Sequence, residues 1–300
     1  MARRTWVPDG ALDLGVTLGV LGRGPGDPAF RVCPDGTLWR ASRTPEGPGT
    51  LCVTARGGAV EAEAWGPGGD WLLDRLPALL GADDDPSAFV PRHRLLHEAH
   101  RRHPGLRLAR TGLVLESLIP SILEQKVTSD EAYRAWRLLL QRFGEPAPGP
   151  SPRMRVMPDP RGWALVPSWE WHKAGVDDKR SATIVRAARA AARLEEAAAM
   201  PDAQAAARLQ AVPGIGPWTA AETLQRTNGS PDAVTTGDLH LPRIVGYALT
   251  GFRGADDAAM LQLLEPYAGQ RHRACRLILL SGVRLPRREP RFSGRDFRAI

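Results

Sequence analysis

The chain has 300 residues, a formal net charge of +7 and a pI near 10.0, enough length for two or three compact domains and enough positive charge to favour a polyanionic partner. Cys33, Cys52 and Cys275 are too few and too scattered for a disulfide framework, which suits a reducing cytoplasm. No unbroken apolar run approaches membrane-spanning length, and Asp13 and Pro8-Asp9-Gly10 disqualify residues 11–21 as a signal-peptide core.

From the N-terminus, residues 12–21, 29–33, 37–41, 51–55 and 60–65 are short strand-like runs. Pro-Asp-Gly, Pro-Glu-Gly-Pro-Gly and Arg-Gly-Gly turns separate them, so they predict an antiparallel sheet. Residues 71–80 add a helix, making residues 1–90 an α+β domain. Beyond Phe89 the periodicity turns helical. His93, His97, His100 and His103 are interleaved with Arg92, Arg94, Arg101 and Arg102, a pattern that favours a basic surface helix over a metal site. Pro120 falls inside a helical pattern over residues 113–123 and either kinks or ends it. Residues 131–143 form the clearest helix, with Thr128-Ser129-Asp130-Glu131 as its capping box and Gly144 as its stop. The proline-rich residues 145–160 read as an extended surface connector.

The most informative stretch runs from Leu209 to Asp238 and contains L-Q-A-V-P-G-I-G-P-W-T, then T-T-G-D-L-H-L-P-R. Ala206, Leu209 and Val212 fit one stripe of a short helix that must stop at Pro213. Gly214 and Gly216 permit positive φ and close approach of a ligand to the backbone, and Pro217 suits the first position of a second helix, which runs to Asn228-Gly229. The unpaired N–H groups at that helix N-terminus make an anion site able to grip a phosphate backbone without reading sequence. Asp238 precedes Leu239, Leu241, Ile244, Val245 and Leu249, so it is placed to cap a further helix, a role compatible with catalysis. Residues 283–300 carry Arg284, Arg287, Arg288, Arg291, Arg295 and Arg298 and read as a basic tail that adds nonspecific DNA affinity.

Residues 209–224 resemble a helix-hairpin-helix element, and with Asp238 downstream they resemble the core of the helix-hairpin-helix DNA glycosylases. P-G-L-R-L (residues 104–108), S-I-L-E-Q-K-V-T-S (121–129) and A-G-V-D-D-K-R-S-A-T-I-V-R-A-A (174–188) agree in order and spacing. The similarity spans about residues 90–282 and is greatest to bacterial 3-methyladenine DNA glycosylase II. It implies an α+β sheet domain followed by an all-α core (residues 91–282) with a cleft between two helical lobes. It also implies a monomer that works on the bacterial nucleoid, with damaged duplex DNA as partner.

By resemblance, Asp238 is the catalytic carboxylate, and Trp218, Glu222 and Gln270 border the base pocket. Gln125, Lys126, Thr128, Gly214, Ile215, Gly216 and Thr219 contact DNA. Lyase-type relatives carry an attacking lysine where this chain has Trp218, so water is the expected nucleophile. Relatives of the iron–sulfur type use four C-terminal cysteines, whereas Cys275 is the only one here, so no cluster is expected. A monovalent cation at the hairpin carbonyls is compatible. Three departures stand out: Lys126 where an apolar wedge is usual, and Glu222 and Gln270 where alkylation-repair relatives carry aromatics that hold cationic alkylpurines. The competing readings are a glycosylase for deaminated or oxidised bases and a helix-hairpin-helix module that binds DNA without cutting it.

Overall fold

The computed structural model describes residues 1–286. Its N-terminal sheet contains β1 (Ala2–Trp6), β2 (Phe30–Val32), β3 (Leu38–Thr44), β4 (Gly47–Arg56) and β5 (Ala59–Trp65), in the order β1-β5-β4-β3-β2 with every pair antiparallel. The register opposes Leu38 to Val53, Leu51 to Ala64 and Val53 to Ala62. One face therefore carries a continuous apolar layer. It packs on Leu14 and Leu18 of α1 (Leu14–Leu18), Leu72 and Leu73 of α2 (Gly69–Asp74) and Leu76 and Leu79 of α3 (Leu76–Leu79).

Three elements of this domain differ from the sequence expectation. Residues 12–21 were expected as a strand but form α1 and a following 3-10 turn, because Asp13 accepts a hydrogen bond from the Val16 N–H at 2.9 Å and caps a helix. The first strand, β1, has no apolar alternation to betray it. It is an edge strand whose exposed face carries charge, Arg3 pairing with Glu63 at 2.7 Å across to β5. The helix expected over residues 71–80 breaks into α2 and α3 at Arg75, since Pro77 has no N–H to give the Leu73 carbonyl. The Arg4 guanidinium donates to that carbonyl instead, at 2.8 Å.

The remaining chain is helical: α4 (Arg94–Arg102), α5 (Val114–Leu123), α6 (Ser129–Phe143), α7 (Pro160–Ala164), α8 (Ser168–Ala174), α9 (Asp178–Arg189), α10 (Ala191–Glu195), α11 (Asp202–Gln210), α12 (Pro217–Thr227), α13 (Leu241–Thr250), α14 (Asp257–Leu264) and α15 (Arg271–Leu280). Two cores divide it. Helices α5 to α12 bury Leu118, Ile122, Trp136, Trp163, Ile184, Leu209 and Leu224 in one. The other joins Leu96 and Ala99 of α4 to Val245, Met260, Leu264, Leu277 and Ile278 of α13 to α15. An early helix thus closes the late lobe, and the segment between α12 and α13 crosses from one lobe to the other.

Pro120 lies inside α5 without ending it. The capping box on α6 is present as expected, Thr128 accepting from the Glu131 N–H while Glu131 accepts from the Thr128 N–H at 2.8 Å. The proline-rich connector is more ordered than its composition suggests. Its ends pair as β6 (Glu145–Pro146) and β7 (Arg155–Val156), and Ala147, Met154 and Val156 bury against Ala41. The four histidines near α4 do not converge: His93 bonds the Tyr267 hydroxyl at 2.6 Å, His100 lies against Phe89, and His97 is exposed. Among the described residues no group of His, Cys, Asp and Glu is arranged to hold a metal, and no helix is long and apolar enough to cross a membrane.

Candidate active site

The hairpin between α11 and α12 is shaped by one glycine above all. Gly214 has φ +100°, and a Cβ there would overlap the Thr183 hydroxyl oxygen on α9 and stand 2.9 Å from its Cγ2. Backbone conformation and close packing both demand the missing side chain. Gly214→Ala is expected to weaken duplex binding at least tenfold by forcing the hairpin off α9, as measured by fluorescence anisotropy, with a lowered melting temperature. Gly216 differs from the sequence expectation: its φ of −96° and ψ of −178° are open to any residue, and only empty space lies where its Cβ would be. That space lies beside the start of α12. Ile215 is buried, so its side chain anchors the turn and only its backbone faces outward chemistry. Pro217 occupies the first turn of α12 and Gly216 provides no side-chain cap, leaving N–H groups at that end for an anion.

Neighbouring elements brace the turn. Arg186 donates from Nε to the Pro213 carbonyl at 3.0 Å. The Gln125 side-chain amide donates to the Gly214 carbonyl at 3.0 Å and to the Thr219 hydroxyl at 2.8 Å. Gln125 therefore ties the loop after α5 to the hairpin. Next to it, exposed Lys126 has φ +55° and is the single non-glycine residue with positive φ among the described residues. The Thr128 hydroxyl is engaged in the α6 cap, and Thr219 is buried.

Asp238 sits in the crossing segment before α13. One carboxylate oxygen accepts from the N–H groups of His240 at 2.7 Å and Leu241 at 2.8 Å, and the other accepts from the Trp218 indole N–H at 3.0 Å. The capping geometry anticipated from sequence is thus realised, and a residue from the start of α12 fixes the carboxylate relative to the hairpin. The same segment is pinned at both ends. Asp232 accepts from the Arg271 N–H at 3.0 Å and its Nε at 2.8 Å, and Asp257 accepts from the Gly237 N–H at 2.8 Å. A half-exposed carboxylate held this firmly can stabilise a neighbouring cationic centre and orient a water.

Trp218, Glu222 and Arg226 follow one another at four-residue spacing and so share a face of α12. Glu222 does not stand free; Arg226 donates to its carboxylate at 2.6 Å and to its carbonyl at 2.8 Å. Arg226 in turn borders a cleft of about 480 Å³ where the sheet domain and both helical lobes meet. α1 with the 3-10 turn that follows it, Arg23, Glu124, Tyr133, Arg226 and Arg276 line it. Gln270 lies elsewhere: it precedes α15, and its carbonyl oxygen accepts from Arg273 Nε at 2.8 Å. Arg276, farther along α15, lines the cleft. Cleft residues Arg23, Glu124, Tyr133, Arg226 and Arg276 went unnoticed in the sequence because they are dispersed along it. The signal available for two of them was the Glu222–Arg226 spacing and a set of arginines in the otherwise apolar α15.

Three guanidinium groups and one carboxylate line the cleft. Arg23 pairs with Glu124 at 2.9 Å and Arg226 with Glu222, while Arg276 has no carboxylate partner among the described residues. Burial first, and then the Arg226 charge, lower the Arg276 pKa to about 10. Burial, with Arg276, Arg226 and Arg273 close by, likewise drives His272 well below the usual imidazole range, so its ring is neutral. Cys275 is buried in α15, which pushes its thiol up to about 12 and makes it unreactive. Of the basic tail, Arg284 is within the described residues, while Arg287, Arg288, Arg291, Arg295 and Arg298 lie outside them.

No protein-family model and no curated protein matches the sequence. Solved structures do. The 3-methyladenine DNA glycosylase from Archaeoglobus fulgidus superposes with a TM-score of 0.74 at 18% identity, covering 94% of this chain and 98% of that one. The fold is that of the helix-hairpin-helix DNA glycosylases. MBOgg1 in complex with a low-affinity DNA ligand gives 0.74 at 16% identity over 94% and 98% of the two chains. The 8-oxoguanine glycosylase/lyase of Clostridium acetobutylicum, bound to double-stranded DNA, gives 0.70 at 12% over 90% and 91%. The α+β architecture with its helical core is therefore the one expected from sequence, shared across glycosylases named for different bases.

Proposed function

We propose that this protein is a monofunctional DNA glycosylase that extrudes a damaged base from duplex DNA and hydrolyses its glycosidic bond. The observation that carries this reading is Asp238, held by the Trp218 indole and two backbone N–H groups beside a hairpin whose helix end suits a phosphate. As the C1′–N bond breaks, positive charge builds on the sugar, and the Asp238 carboxylate stabilises it. A water oriented by the same carboxylate bonds to C1′; the base departs and takes up a proton, leaving an intact abasic site. Extrusion is required because the bond is inaccessible inside the stack. Exposed Lys126, held in its strained conformation by the Gln125 brace, enters the gap the base leaves.

The protein acts as a monomer in the cytoplasm, at the first step of base excision repair. A monovalent cation would be held by hairpin carbonyl oxygens, of which those of Pro213 and Gly214 each already accept one side-chain hydrogen bond. Resemblance points to alkylated bases.

The test is incubation with duplexes that each carry one defined lesion, followed by alkaline cleavage at abasic sites. Strand breaks are expected only after the alkali step. Borohydride added during turnover is expected to trap no protein–DNA adduct; a covalent adduct would show an amine attacking and overturn the hydrolytic reading. Tight duplex binding without base release from any lesion would make the protein a binding module.

A further inference from the structure

The segment that carries Asp238 is anchored by buried Thr235 on one side and by α13 on the other, and between them Gly237, Leu239 and His240 are exposed. Among the described residues, two hydrogen bonds link residues 236–240 to elements other than α13. One runs from the Trp218 indole to the Asp238 carboxylate, the other from the Gly237 N–H to the Asp257 carboxylate at 2.8 Å. They hold different things. Trp218 belongs to α12 in the other lobe and grips the Asp238 side chain, whereas Asp257, at the start of α14, grips the main chain directly before it. Gly237 has φ +82°, a left-handed conformation that favours glycine, so the direction in which Asp238 is presented depends on how this one residue is held. Asp257 is not needed to cap its own helix. Asp256 caps α14 by accepting from the Ala259 N–H at 2.9 Å, and the second carboxylate oxygen of Asp257 is buried with no hydrogen-bond partner among the described residues. A buried, unsatisfied carboxylate oxygen is costly, and the bond to Gly237 is the contact that offsets it.

We infer that Asp257 is a positioning residue for base release: through the Gly237 N–H it fixes the turn on which Asp238 stands, and thereby the approach of the Asp238 carboxylate to C1′ of the extruded nucleotide. This inference rests on the glycosylase reading above and adds to it a second carboxylate that acts only through the first. Folding and reaction should respond differently to its loss. Gly237 is exposed, so water takes over its N–H when the carboxylate is removed, and folding depends little on the bond. Reaction geometry is less forgiving, since misplacing a reacting group by about 1 Å can cost on the order of a hundredfold in rate. The contact at the other end of the segment is the contrast. It ties Asp232 to the start of α15, ahead of buried Thr235, so movement there reaches Asp238 only past a buried anchor. The role of Asp257 requires an acceptor oxygen aimed at Gly237 and no negative charge, which an amide can supply equally well.

Single-turnover base release by the full chain tests this, on the lesion duplex that the wild-type protein cleaves fastest in the panel above, with duplex binding followed by fluorescence anisotropy. Asp257→Ala is expected to slow release by about tenfold to thirtyfold, leave binding within about twofold of wild type, and lower the melting temperature by a few degrees at most. Asp257→Asn still offers a carbonyl oxygen to the Gly237 N–H and should release base within about threefold of the wild-type rate. In an Asp238→Asn background, Asp257→Ala should change the residual release by less than about twofold, because the group it positions no longer acts. A general structural defect would slow both backgrounds alike. Equal slowing in the two backgrounds, release by Asp257→Ala within about twofold of wild type, or an Asp257→Asn protein as slow as Asp257→Ala overturns the assignment of Asp257 and leaves the glycosylase reading in place. If the wild-type protein releases no base from any duplex of the panel, the glycosylase reading fails and this assignment fails with it.

Discussion

Asp238→Asn is expected to lower base release by roughly a hundred- to a thousandfold while leaving duplex binding within about twofold of wild type. The geometry makes this substitution unusually clean. The Asn side-chain oxygen can still accept from the His240 and Leu241 N–H groups, and Asn caps helices as well as Asp does. What changes is charge, and the contact with Trp218, where an amide N–H would face an indole N–H. Because Trp218 is only half-buried, water can relieve that conflict, so the melting temperature should fall by a few degrees at most. Trp218→Phe provides the companion measurement. It removes the indole donor and keeps the carboxylate, so release should slow by about tenfold through looser positioning of Asp238. An Asp238→Asn protein that still releases base within tenfold of wild type would remove the carboxylate from the reaction.

What could be read in the sequence here is local. The hairpin announces itself because proline and glycine restrict the backbone at fixed positions, and the α6 cap because Thr128 and Glu131 need only each other. Asp238 is legible as a helix cap for the same reason, since it stands just before an apolar stripe, while its catalytic role is what the resemblance implies. The strands β2 to β5 show through their alternation and turns. Elements whose identity is decided by distant partners stay hidden. Nothing in residues 2–6 says that they will pair with β5, and residues 12–21 satisfy a strand pattern until the Asp13 cap is taken into account. The cleft is the extreme case. Arg23, Glu124, Tyr133, Arg226 and Arg276 come from both ends and the middle of the chain, so no spacing rule links them. Gln270 and Glu222 were given pocket positions by resemblance. In the fold each side chain is engaged by an arginine, Glu222 by Arg226 and Gln270 by Arg273, a pairing that spacing shows only for the first.

Asp84→Asn should destabilise the protein by about 3–5 kcal/mol, the cost of leaving a buried cation without its counter-charge. Asp84 and Arg273 form an ion pair whose side chains are 4% and 1% exposed. Arg273 also donates to the Leu106 carbonyl at 3.3 Å and to Gln270, while Asp84 accepts from the Leu108 N–H at 2.9 Å. Three parts of the molecule meet there: the end of the sheet domain, the segment that follows α4, and α15. An Asn at this position keeps an acceptor for the Leu108 N–H but removes the negative charge, and a guanidinium this deeply enclosed has no water to turn to. The exposed Arg94–Glu98 pair on α4 is the contrast, since solvent screens it, and Glu98→Gln should leave the melting curve unchanged. Denaturant unfolding with an unchanged slope would report the Asp84 effect as stability rather than altered compactness. Adding Arg273→Met to Asp84→Asn should recover most of the loss, because an apolar side chain of similar length leaves no charge to compensate. A loss under about 1 kcal/mol in the single variant would mean that the charge finds another partner.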